Sequence, residues 1–181
     1  MLREIRSVQM AILRLATIDD AESLAGLAER TFRETFAAEN SQTNMNLHCA
    51  TYYSAEIQRQ EILDPNLVTI LADEAGDLVA FAQIRLLSLK ACVSAERPSE
   101  LNRLYVSSEW HGRGLAQTVM AEVLAIVKQG GADCIWLGVW EQNPKAIAFY
   151  YKYGFKVVGD HVFPVGTDPQ RDLVLAVEIK H

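Results

Sequence analysis

The segment Leu101-Asn102-Arg103-Leu104-Tyr105-Val106-Ser107-Ser108-Glu109-Trp110-His111-Gly112-Arg113-Gly114-Leu115-Ala116 reads as a strand, a short loop, a glycine-containing turn and the start of a helix. That order aims the unpaired amides of a helix N-terminus at one point, where an anion is the natural occupant. A diphosphate fits such a cradle. Side chains at Gly112 and Gly114 would block its approach, glycine permits φ > 0 where the chain turns, and Ala116 keeps the first helical turn slim. A nucleoside-triphosphate P-loop is excluded, because Gly114 is followed by Leu115 and Ala116 rather than by Lys and Ser or Thr. A dinucleotide site is excluded as well, since the next strand ends Gly138-Val139-Trp140 without an acidic residue. Two glycines before a helix also serve as a plain turn, so this segment alone leaves that alternative open.

A second constellation follows at Asn143-Pro144-Lys145-Ala146-Ile147-Ala148-Phe149-Tyr150-Tyr151-Lys152-Tyr153-Gly154-Phe155. Asn143 caps a helix that carries Pro144 at its first position, and Gly154 closes it. Tyr150 lies within this helix, where a core role and a chemical role are both open.

The elements that must position these residues are legible from periodicity. Ile12 to Ala16 reads as a strand, and Thr17 with Asp20 as a capping box opening a helix with an apolar stripe at Leu24, Leu27, Ala28, Phe32, Thr35 and Phe36. That helix is expected to end near Glu39 and Asn40, and a second helical region to run from about Asn44 to Leu63, before Pro65. Leu67 to Ala72 and Leu78 to Leu89 form an antiparallel hairpin around Glu74-Ala75-Gly76-Asp77. A loop through Pro98 leads to the strand Glu100 to Val106. The helix Leu115 to Val127 stops at Gly130-Gly131, and Cys134 to Trp140 is a buried central strand. Phe155 to Val162 and Leu173 to Glu178 close the chain as strands. The fold class is α/β, and no repeat or long linker divides it.

Length and charge bound the rest. At 181 residues, one domain over 11–181 is expected, after a flexible lead-in over 1–10 in which Met10 is a candidate native start. Seventeen Lys and Arg against twenty-three Asp and Glu give a net charge of -6, with no basic run, which argues against nucleic acid as a partner. Cys49, Cys92 and Cys134 lack the spacing of a metal or redox site, so free thiols, no metal and a cytoplasmic location are expected. No stretch reaches the roughly 18 apolar residues of a membrane span.

Leu104-Tyr105-Val106, then HGRGLA at 111–116, then NPKAIAFYYKYGF at 143–155 together resemble the GCN5-related N-acetyltransferase (GNAT) superfamily, whose pattern is Q/R-x-x-G-x-G/A followed by N-x-x-A-x-x-F-Y-x-x-x-G-F. His111 departs from it, standing where the family carries Gln or Arg. Segments 31–40, 135–155 and 161–166 are similar to bacterial PaiA-type spermidine/spermine N-acetyltransferases. The resemblance implies the GNAT fold, a mixed central sheet of six to seven strands flanked by helices. It also implies acetyl-CoA as donor, with its diphosphate at Gly112, Arg113, Gly114, Ala116 and Gln117.

By the same resemblance the strand ending at Val106 splays from the strand ending at Trp140, freeing main-chain groups at Leu104 and Val106 for the pantetheine arm and thioester. Tyr150 matches the general acid that protonates the departing CoA thiolate. A phenol with an ordinary pKa near 10 is neutral at pH 7, as that task requires. Glu100 matches a glutamate base acting through water, and simple strand alternation puts Glu100, Asn102, Leu104 and Val106 on one face. Asn143 is implied to contact pantetheine, and Lys152, like Arg113, to meet phosphate charge.

For the acceptor, Glu34, Glu39 and His161 are candidates to line a site for a small amine such as spermidine or spermine. A protein N-terminus, an amino acid, another small amine, or a CoA-binding role with little catalysis are the alternatives. Relatives of this family are often homodimers, and no residue here fixes the oligomeric state.

Overall fold

Alternation along the third strand sorts its residues between two cores: Ala80, Ala82 and Ile84 pack to one side, Phe81 to the other. The computed structural model describes residues 11–180, so the lead-in expected over 1–10 lies outside them. In chain order the elements are β1 (Ile12–Leu15), α1 (Ala21–Phe36), α2 (Gln42–Tyr52), α3 (Ala55–Leu63), β2 (Leu67–Glu74), β3 (Asp77–Arg85), β4 (Pro98–Val106), α4 (Leu115–Gln129), β5 (Cys134–Trp140), α5 (Pro144–Tyr151), β6 (Lys156–Val165) and β7 (Asp168–Glu178). The strands form one seven-stranded sheet in the order β1-β2-β3-β4-β5-β7-β6, antiparallel except where β4 meets β5.

One face of the sheet carries α4, whose Val119, Met120, Val123 and Val127 are fully buried against Ile84, Ile135 and Leu137. The opposite face carries α1 and α2, where Leu24, Leu27, Phe32 and Met45 pack with Leu71 and Phe81. The capping box forms on a 3₁₀ turn, Ile18–Asp20, that leads into α1: the Asp20 carboxylate accepts from the Thr17 amide at 2.7 Å. Arg14 grips the same carboxylate through two bonds of 2.8 Å and holds it well below the usual range, at about 2. This clamp fixes the first helix, one wall of the site, to the sheet edge.

Three expectations need correction. The helical region expected over 44–63 is two helices, because Ser54 opens a new one by accepting from the Ile57 amide at 3.3 Å. The last hairpin is longer than the periodicity suggested: Gly166 turns it at φ 62° and β7 begins at Asp168, five residues before Leu173. The third concerns β4, where the pairing with β3 slips between Gln83 and Ile84, so that Arg103 and Leu101, two residues apart, face neighbouring positions. This bulge at Asn102 breaks the alternation. Leu101, Leu104 and Val106 share the α4 face, and Glu100 belongs to the other, beside its lateral partner Trp136.

Candidate active site

β4 and β5 pair at only three positions, Pro98 with Cys134, Ser99 with Ile135 and Glu100 with Trp136. Beyond these, β4 continues against β3 and β5 continues against β7, leaving two strand edges facing each other unbonded. The amide of Ser107 donates to the Val79 carbonyl at 2.9 Å, which fixes the phase of the β3–β4 ladder. In an antiparallel ladder the main-chain groups alternate sides, so Tyr105 and Ser107 serve β3 while Leu104 and Val106 turn theirs toward the gap. The Val106 carbonyl accepts from His111 Nε2 at 2.9 Å, and its amide is left to the gap.

The glycine turn borders that gap. Gly112 and Gly114 hold φ of 75° and 85°, and a Cβ on either would meet no atom within 4 Å, so both face open space. The first helical bond of α4 runs from the Thr118 amide to the Gly114 carbonyl at 3.1 Å. The amides of Leu115, Ala116 and Gln117 therefore lack a protein acceptor among the described residues, and an anion there meets three donors and the positive end of a fifteen-residue helix. His111 pins the turn to the end of β4, and Lys145 Nζ stands 3.5 Å from its Nδ1. The imidazole thus has a local holding role that neither Gln nor Arg is needed to fill.

Asn143 caps α5, its side-chain oxygen accepting from the Ala146 amide at 3.1 Å, with Pro144 at the first helical position. Two helical turns beyond this cap, α5 carries Tyr150 inward, buried against Phe149 and Phe155. Burial, with Tyr105 nearby, pushes its phenol well above the usual value near 10 and keeps it protonated.

These parts enclose a cleft of about 1100 Å³. Leu104, Val106, Gly112, Gly114, Ala116 and Gln117 line it, as do Asn143, Tyr150 and Lys152 from the α5 side and Glu34 and Glu39 from α1 and the turn after it. Glu34 also accepts from the Ser108 amide at 3.1 Å, so part of its carboxylate is committed to the loop. Arg113, Glu100 and His161 are not among the lining residues. Arg113 lies over the Trp110 ring, 5.2 Å from its centroid. Glu100 accepts from Ser88 Oγ at 2.9 Å and lies 3.6 Å from the Arg85 guanidinium. His161 sits at the edge of the cleft, over Gly138.

Sequence reasoning missed the polar floor. Asp172, on β7 opposite Trp140, lines the cleft while only 8% exposed, and burial pushes its carboxyl up to about 6. Tyr105 is half-buried beside it and shares a hydrogen bond with Tyr53. The aromatic rings of Phe36 and Trp140 meet edge-on at 5.8 Å along the same wall, and Phe163 adds to it. Asp172 carried no local signal, since its inward position comes from the β6–β7 register.

This geometry coincides with what comparison with known proteins finds. The sequence model of the Acetyltransferase (GNAT) family matches residues 26–155. An uncharacterised N-acetyltransferase of Mycobacterium tuberculosis is 31% identical over 164 residues, covering 88% of this chain and 98% of that protein. A spermidine N(1)-acetyltransferase of Thermoplasma acidophilum is 29% identical over 151 residues, covering 80% of this chain and 88% of that one. The crystal structure of the PaiA N-acetyltransferase from Thermoplasma acidophilum, in complex with coenzyme A, superposes with a TM-score of 0.76 at 26% identity, over 92% of this chain and 98% of that chain. The chain belongs to the GNAT acetyltransferase family. It is an N-acetyltransferase with acetyl-CoA as its co-substrate. Among the described residues no group of side chains is arranged to hold a metal ion, and no helix is long and apolar enough to cross a membrane.

Proposed function

We propose that the chain acetylates a primary amine of a polyamine such as spermidine or spermine. The observation that carries this reading is the composition of the acceptor half of the cleft. Carboxylates of Glu34, Glu39 and Asp172 stand along a wall of Phe36, Tyr105, Trp140 and Phe163. Carboxylates attract ammonium groups, and aromatic faces suit the alkyl segments and charges between them. The spermidine enzyme among its relatives supports the same acceptor.

In this reading the amides of Leu115, Ala116 and Gln117 hold the diphosphate, with Gly112 and Gly114 leaving room for it and Arg113 and Lys152 adding positive charge. Leu104 and Asn143 bond the pantetheine amides. The Val106 amide polarises the thioester carbonyl and stabilises the oxyanion as the amine attacks. Tyr150 gives its proton to the departing sulfur. Glu34 and Glu39 place the distal ammonium groups.

An acceptor panel tests the assignment: thiol release at saturating acetyl-CoA with spermidine, spermine, lysine-like amines and short peptides. The highest kcat/KM is expected for a polyamine. Preference for a peptide N-terminus or an amino acid would overturn the acceptor class and leave acetyl transfer standing.

A further inference from the structure

The acceptor amine is an ammonium ion at neutral pH and must lose a proton before its nitrogen can attack. Glu100 is poorly placed to take it. It does not line the cleft, and Ser88 and Arg85 already engage its charged form.

Another carboxylate has the required surroundings. Gly138 lies on the central strand of the cleft floor, exposed, with no side chain of its own. A Cβ built there would come within 3.3 Å of Asp172 Oδ2 and within 2.8 Å of His161 Cε1. The missing side chain thus opens a floor position flanked by the Asp172 carboxylate and the His161 imidazole. Asp172 accepts no side-chain hydrogen bond and makes no ion pair among the described residues, although it is more than nine-tenths buried. His161 Nδ1 is likewise buried and without a hydrogen-bond partner.

A buried carboxylate with neither a hydrogen bond nor an ion pair is destabilising unless a ligand completes it. We propose that Asp172 receives the reacting ammonium group over Gly138 and takes its proton, making it the catalytic base for acetyl transfer to an alkyl amine; the assignment rests on the acetyl-transfer reading of this cleft.

The charges balance. The ammonium N–H bond breaks, the proton goes to the Asp172 carboxylate, and the freed nitrogen pair forms the N–C bond to the thioester carbon. The C–S bond then breaks with its electrons on sulfur, Tyr150 protonates that sulfur, and the second nitrogen proton returns to the Tyr150 oxygen. One proton remains on Asp172 and leaves to the water of the cleft. The groups that face this carboxylate are His161 from β6, Tyr105 from β4 and Lys90 from the loop after β3. Lys90 is held over the Trp136 ring at 5.2 Å and favours the charged form, while burial opposes it more strongly and raises the carboxyl toward neutrality.

Asp172→Asn, Asp172→Glu and Glu100→Gln in the full chain test this, with the best amine of the acceptor panel and acetyl-CoA binding followed by calorimetry. Asp172→Asn is expected to lower kcat/KM at least 100-fold, to abolish the acidic limb of the pH profile and to leave the acetyl-CoA Kd within twofold. Asp172→Glu is expected to recover part of the rate, and Glu100→Gln to keep the limb. Wild-type turnover in Asp172→Asn, or loss of the limb in Glu100→Gln instead, would overturn the assignment while acetyl transfer stands. Absence of turnover by the unsubstituted protein with every amine would overturn both.

Discussion

Replacing Asp172 by Asn should stabilise the protein at neutral pH, which an ordinary structural residue would not do. The carboxyl has an ordinary value of 3.8 and is pushed up to about 6 by burial. Below pH 3.8 the folded and unfolded chains both hold the proton. Between 3.8 and about 6 the folded chain keeps it and the unfolded chain releases it, so stability falls as pH rises. Above 6 the deficit is complete. The gap between the two values corresponds to about 3 kcal/mol, and access of cleft water to the carboxylate reduces the expected effect to about 2 kcal/mol. Asn has the shape of the neutral acid and no charge to desolvate. Urea unfolding of wild type and Asp172→Asn at pH 4, 5, 6 and 7.5 reads the difference directly, other titrating groups cancelling between the two proteins. The variant should match wild type near pH 4 and exceed it by about 2 kcal/mol at pH 7.5. A difference independent of pH, or a variant less stable at pH 7.5, would show that the Asp172 carboxylate is not strained by burial.

The other predictions concern the remaining parts of the site. Tyr150→Phe should lower kcat about 100-fold with the acetyl-CoA Kd unchanged; steady-state kinetics with calorimetry checks both, and unaltered turnover removes the acid role. Gly114→Ala places a Cβ at φ 85° on the open side of the turn. It should weaken acetyl-CoA binding about tenfold and cost about 1 kcal/mol of stability, whereas unchanged affinity would mean that the turn does not hold the diphosphate. Arg103, which lines the cleft, and Glu61 form a largely buried pair at 2.6 Å. Glu61→Gln should therefore destabilise the fold by about 3 kcal/mol in urea unfolding, and a loss below about 1 kcal/mol would show the pair to be well solvated.

What was legible in the sequence was local. The caps at Thr17 and Asn143, the glycine turn and the apolar run Cys134–Trp140 each carry their signal within a few residues, and each stands where it was read. What depends on a partner strand was not legible. The bulge at Asn102 exists only in the register of β4 against β3, so Glu100 could not be assigned a face from alternation. The first half of β7 reads as loop because Pro169, Gln170, Arg171 and Asp172 are poor strand formers, yet pairing with β6 carries the ladder through them. That pairing sets Asp172 into the cleft. Ser54, by contrast, was a readable helix start, a serine three residues before the amide it caps.

Acetyl transfer to a polyamine is read by mass spectrometry of the products after incubation with acetyl-CoA and spermidine. Acetylated spermidine and free CoA should form in equal amounts, both reduced together in Tyr150→Phe. CoA binding without any acetylated amine across the acceptor panel would contradict that transfer.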